Sequence, residues 1–227
     1  MEFLMGLMGI MMVNIVLSGD NAVVIAMASR CLPPKQQKLA IFWGSAGAII
    51  LRVILTVVAV ILLQIPYLQC LGGLLLIWIA AKLLMEEDGC EDIAASASFW
   101  PAVKTIIVAD LIMSLDNTLA IAAIADGNWT LLILGLGLSI PIIICGSQLL
   151  VMIMSKFPII VYAGAGLIAW TAGEMVIRDA KVGPLFPAAL PLWLIPAVIT
   201  VGVLALGVWW NKYRKPAHEE GEVEKAN

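Results

Sequence analysis

Residues 8–28 read MGIMMVNIVLSGDNAVVIAMA, a run apolar and long enough to cross a bilayer that nonetheless carries Asn14, Ser18, Asp20 and Asn21. An aspartate at the centre of a membrane helix costs roughly 2.5–3.5 kcal/mol on insertion scales, so its presence there asks for a compensating role. Residues 108–123, VADLIMSLDNTLAIAA, repeat the pattern at an offset of 96. Asn14 falls on Asp110, Ser18 on Ser114, Asp20 on Asp116 and Asn21 on Asn117. Small apolar residues align by chance between any two membrane segments; an S-x-D-N pattern rarely does.

The rest of the chain is of the same character. Of its 227 residues, 62% are hydrophobic and 13% charged, and the mean hydropathy of +1.03 is far above what a soluble core requires. Further apolar runs lie near 38–64, 67–86, 101–124, 130–154, 158–178 and 190–211, which with the first, near 4–28, predict seven membrane helices. RCLPPKQQK, the polar MEEDGCEDIAAS, DGN at 126–128, and Pro66 and Pro158 punctuate them, while Pro141 is expected to kink its helix without ending it. The first run opens on MEFLMG, without a basic segment, and reads as a retained span, not a cleaved leader.

Beyond the first helix the offset becomes 92, so that Pro66 meets Pro158, Gly72 meets Gly164, Trp78 meets Trp170 and Lys82 meets Glu174. This divides the chain into a first three-helix repeat over 1–89, a second over 90–180, a seventh helix over 181–212 and a disordered cytoplasmic tail over 213–227. Three is odd, so the second repeat crosses the membrane in the opposite sense, an inverted repeat of the kind on which many secondary transporters are built. The fold class predicted is all-α and integral to the membrane. Lys and Arg gather on one face, with Arg30, Lys35, Lys38, Lys104, Lys156 and Lys212, against Arg178 and Lys181 on the other. That bias predicts an outer N-terminus and a cytoplasmic C-terminus.

Asp20, Asp110 and Asp116 lie deep in their runs. At about 100° per residue, Asn14, Ser18 and Asn21 make one stripe with Asp20 beside it, and Asp110, Ser114 and Asn117 make the matching stripe with Asp116 beside it. Lipid cannot satisfy these groups, so both stripes are expected to face the interior. They are oxygen donors with no histidine in any span, which suits a hard divalent cation such as Mn²⁺, Mg²⁺ or Ca²⁺. The candidate metal ligands are Asp20, Asn21, Asp110, Asp116 and Asn117, supported by Asn14, Ser18, Ser114, Arg52 and Glu174. Gly19 is placed to loosen the first helix beside Asp20; the second repeat has Leu115 there.

Arg52 sits about 20 Å into the second helix and should pair with a buried acid, either as a structural bridge or to hold the carboxylates ionised. Lys82 and Glu174 lie near helix ends and snorkel, and Glu174 is a candidate for the outer mouth. The acidic loop with Glu86, Glu87, Asp88, Glu91 and Asp92, and His218 in the tail, read as solvated. Cys31, Cys70, Cys90 and Cys145 form no C-x-x-C pair and read as small apolar residues. Gly44 and Gly47 permit close packing, within the bundle or in a homodimer. No basic run with interleaved aromatics invites nucleic acid, and no P-loop is present to bind nucleotide.

LSGDNAVVIA in the first span and SLDNTLAIAA in the fourth make the chain resemble the TerC family of bacterial inner-membrane proteins, related to the LysE transporter superfamily, in a short seven-helix form. The resemblance implies efflux of divalent metal, chiefly Mn²⁺ as transported substrate with no organic cofactor, and metal residues Asp20, Asn21, Asp116 and Asn117, to which the stripe geometry adds Asp110. Proton antiport is the expected coupling, since a carboxylate in a closed apolar site prefers neutrality. Two other readings stay open: an intramembrane aspartyl hydrolase, in which paired aspartates share a proton, and a membrane assembly or metalation partner of the secretion machinery with a structural metal. The asparagines beside the aspartates favour a coordination shell over a hydrolytic dyad, so no enzyme activity is expected.

Overall fold

The computed structural model describes residues 2–62, 65–85, 99–125, 127–187 and 191–214, and all regular structure in them is helical. The helices are α1 (Glu2–Leu17), α2 (Gly19–Ser29), α3 (Pro34–Leu62), α4 (Leu68–Met85), α5 (Phe99–Ala125), α6 (Trp129–Lys156), α7 (Ile159–Arg178) and α8 (Leu194–Arg214), with a 3₁₀ turn at Gly183–Leu185. The acidic loop, Cys90, Asp126 and most of the tail, including His218, lie outside the described residues.

Helix boundaries fall where the punctuation places them. Pro34 opens α3, a position where its missing N–H costs nothing. Pro66 precedes Tyr67, which takes φ +64° in the exposed turn into α4. Gly127, at φ +75°, leads into Asn128, whose side chain accepts the Leu131 N–H and caps α6. α6 runs on through Pro141.

Two findings depart from the sequence reading. The first apolar run is not one helix: Phe3–Asn14 and Gly19–Ser29 are bent by 50° at a break around Ser18. Ser18 leaves helical geometry at φ −106° and ψ 8°, and glycine, the weakest helix former after proline, follows it. Cys31 is disulfide-bonded, whereas Cys70 and Cys145 are free. Spacing along a chain carries no information about which thiols meet in space, and this pairing left no trace in the sequence.

Among the described residues, five helices are long and apolar enough to cross a membrane, or six if the bent pair makes one span. Their outer faces are what a lipid solvent requires: Trp43, Ile50, Ile54 and Val57 line one exposed face of α3, and Leu71, Leu74, Leu75 and Trp78 are exposed on α4. α5 is the central strut, packed against α1, α2, α3, α4 and α6, while α4, α7 and α8 form a second group. Glycines set the closest approaches. Gly44 and Gly47 of α3 take Ile106 and Ile107 of α5, and Gly135 of α6 takes Ile10 of α1, so the α3 glycines serve packing inside the bundle.

Candidate cation site

The break at Ser18 has a local cause and a local consequence. A serine at a helix start ordinarily turns its hydroxyl onto a backbone N–H of the next turn. Here Ser18 Oγ donates instead to Asn14 Oδ1 at 3.1 Å, one turn back, and α2 begins without a side-chain cap. Asp20 and Asn21 occupy the first turn of α2. The Asp20 carboxylate accepts the Asn21 N–H at 2.8 Å and keeps partial exposure. Asn21 is only 2% exposed, and neither its Oδ1 nor its Nδ2 has a hydrogen-bond partner. A buried primary amide with both ends unmet costs several kcal/mol unless something else meets them.

On α5 the second stripe reproduces the first. Ser114 Oγ donates to Asp110 Oδ2 at 3.2 Å, the counterpart of Ser18 and Asn14. Between the two pairs lies the Arg52 guanidinium, 1% exposed. Nη2 donates to Asp110 Oδ1 at 2.6 Å, Nε to Ser114 Oγ at 2.9 Å, and Nη1 to Ser18 Oγ at 2.9 Å and to Asn14 Oδ1. Arg52 thus pairs with a buried acid, as its depth demanded. One cation serves both repeats, and its counterpart in the second repeat, at the offset of 92, is the partly buried, apolar Ile144.

The structure therefore sorts the predicted residues into two groups. Asn14, Ser18, Arg52, Asp110 and Ser114 are brought together and mutually satisfied, except for Asn14 Nδ2, which has no partner. Asp20 and Asn21 stand at the helix break, Asn21 with both ends of its amide unpartnered. Asn117 is half-buried on α5, and the side chain of Asp116, on the same helix, is outside the described part of the structure. Glu174 joins neither group: it accepts from Trp170 Nε1 and from Arg178, both at 3.0 Å, on the exposed side of α7. No cluster of three or more His, Cys, Asp or Glu with metal-holding geometry occurs among the described residues.

Two features were not singled out from the sequence. Thr118, fully buried, donates to the Ser114 carbonyl and continues the α5 stripe; Thr commonly bonds back one turn within a helix, and the SLDNT string carried that signal. A cavity of about 200 Å³ opens between α3 and the α5–α6 turn, lined by Thr56, Asn128, Trp129 and Leu132. Thr56 Oγ1, on the cavity wall, donates to the Arg52 carbonyl one helical turn back at 2.8 Å.

A family model described as "Integral membrane protein TerC family" matches residues 1–217. The membrane protein YjbE of Bacillus subtilis is 43% identical over 216 residues, covering 94% of this chain and 99% of that protein. YceF of the same organism is 34% identical over 130 residues, 53% of this chain and 51% of its own length. YegH of Escherichia coli is 26% identical over 176 residues, 69% of this chain but only 33% of its own. No solved structure matches the chain.

Proposed function

The chain belongs to the TerC family of integral membrane proteins, and from that premise we propose that it is a secondary transporter that exports a divalent cation, Mn²⁺ foremost with Mg²⁺ and Ca²⁺ as competitors, across the bacterial inner membrane in exchange for protons. The observation that carries the reading is the broken first helix, which sets a carboxylate, Asp20, beside a buried amide, Asn21, whose polar atoms have no protein partner. Discontinuous helices serve transporters in this way, because unwound backbone and nearby side chains replace the water an ion leaves behind. Asp116 and Asn117 are assigned to the same shell by the repeat.

Counting α5 and the bent pair each as one span gives seven crossings, and the packing supports two inverted repeats. α1 and α2 lie against α6 as α5 lies against α3, and α2 touches α7 as α5 touches α4. Ile10 and Ile106, equivalent under the offset of 96, each fill a glycine notch on the facing helix, at Gly135 and Gly44.

Export against an inside-negative potential costs about 2.3 kcal/mol per charge per 100 mV, near 4.6 for a divalent ion. With no P-loop in the sequence, inward proton flow is the coupling we assign, the protons being carried by the same aspartates that release the metal. The test is Mn²⁺ flux in proteoliposomes of the full chain with a trapped pH probe. Asp20→Ala and Asn21→Ala are expected to lower flux at least about tenfold, the cost of roughly 1.4 kcal/mol of lost ligation. Wild-type flux in both variants, or none in the parent, removes the assignment.

A further inference from the structure

The oxygen cluster around Arg52 has the make-up of a cation site, yet it already holds a cation. Four oxygen-bearing side chains, two from each repeat, converge on a single guanidinium with distances of 2.6–2.9 Å where they are of ordinary length. Both members of each Asx-x-x-x-Ser pair accept from this one group, and the pseudo-symmetric position that would supply a second cation is Ile144. Both Asp110 oxygens are engaged: one meets Arg52, the other Ser114. Deep in the spans the sequence holds three acids, Asp20, Asp110 and Asp116, and one base, Arg52. Two negative charges remain, the complement of one divalent ion.

We propose that Arg52 is a tethered resident cation, occupying what would otherwise be a second metal site made by Asp110, Asn14, Ser18 and Ser114, and that it thereby limits the load to one divalent ion. The inference rests on the metal-transport reading and sharpens it. Asp110 is then the counter-ion of Arg52 and not a ligand of the transported metal.

Equilibrium dialysis of the purified full chain in detergent against Mn²⁺ tests it. Wild type is expected to bind one equivalent, Arg52→Ala two, and the double variant Arg52→Ala/Asp110→Asn one again. The double variant should bind with an affinity within about twofold of the parent, as for changes made outside the shell. It removes the ion pair as a unit, so it keeps the test alive if Arg52→Ala alone fails to fold. One equivalent in a folded Arg52→Ala, or none in the double variant, overturns the proposal, the second result by making Asp110 a ligand after all. Absence of binding by wild type is a different outcome, which removes the transport reading and this proposal with it.

Discussion

At the scale of single residues, the decisive fact is that one guanidinium answers two acceptor pairs. Removing either member of such a buried pair leaves an uncompensated charge, whereas the bonds themselves return little net stability. Asp110→Ala is therefore expected to destabilise the protein by about 3–5 kcal/mol, read as a lowered melting temperature in detergent; an unshifted melt would mean that Arg52 has water or another acid within reach. The sequence made part of this legible. The depth of Arg52 demanded a buried acid, and the offset of 96 equated Asn14 with Asp110. It did not say which acid Arg52 would take, because the rotation of one helix against another is set by packing, such as Ile106 in the Gly44 notch, and not by spacing within either helix. Spacing alone therefore groups Asp110 with Asp20 and Asp116, whereas its oxygens accept from Arg52 and Ser114.

At the scale of elements, the repeats diverge where the ion is expected to sit. The first repeat breaks at Ser18 and Gly19; the second, with Leu115 in place of Gly19, continues unbroken through Phe99–Ala125. Gly19 hinted at the break, but hydropathy could not, since a bent pair of helices is as apolar as a straight one. A second junction has no sequence signal of its own: Asp179 stands just past the end of α7. It is 3% exposed and ties the end of α7 to the start of α4, accepting from the backbone N–H groups of Lys181 at 2.9 Å, Val182 at 3.1 Å and Cys70 at 3.1 Å. Burial alone would push its carboxyl up, but these donors, with that of Gln69, outweigh it and hold the group below the ordinary aspartate value. Because the folded value lies below the unfolded one, the stabilisation is complete above the usual aspartate range near 3.9 and is lost as pH falls through the folded value. Asp179→Asn should accordingly melt below wild type at about pH 6, with the gap closing as the pH is taken toward about 3; a gap independent of pH would assign the junction to something other than this carboxylate.

At the scale of the whole molecule, orientation and alternation are bound together. The Lys and Arg bias puts the α2–α3 turn, with Arg30 and Cys31, in the cytoplasm, where thiols are kept reduced. The disulfide at Cys31 belongs to an oxidising compartment. Alkylation of Cys31 in intact cells decides between them: ready labelling by a membrane-permeant maleimide is expected if the bias governs, and labelling only after reductant would reverse the topology. Under the inverted-repeat reading proposed above, the two notches, Ile10 in Gly135 and Ile106 in Gly44, lie toward opposite faces, since inversion exchanges the sides of the membrane. A carrier that exposes its site alternately must loosen one notch while the other stays closed; a rigid assembly factor need loosen neither. Cysteine pairs replacing Ile10 with Gly135, or Ile106 with Gly44, in a chain whose four native cysteines are replaced, should each halt Mn²⁺ flux when oxidised and release it on reduction. Flux that persists at the parental rate through both cross-links would show that the repeats do not move against each other, and alternating access would fail with them.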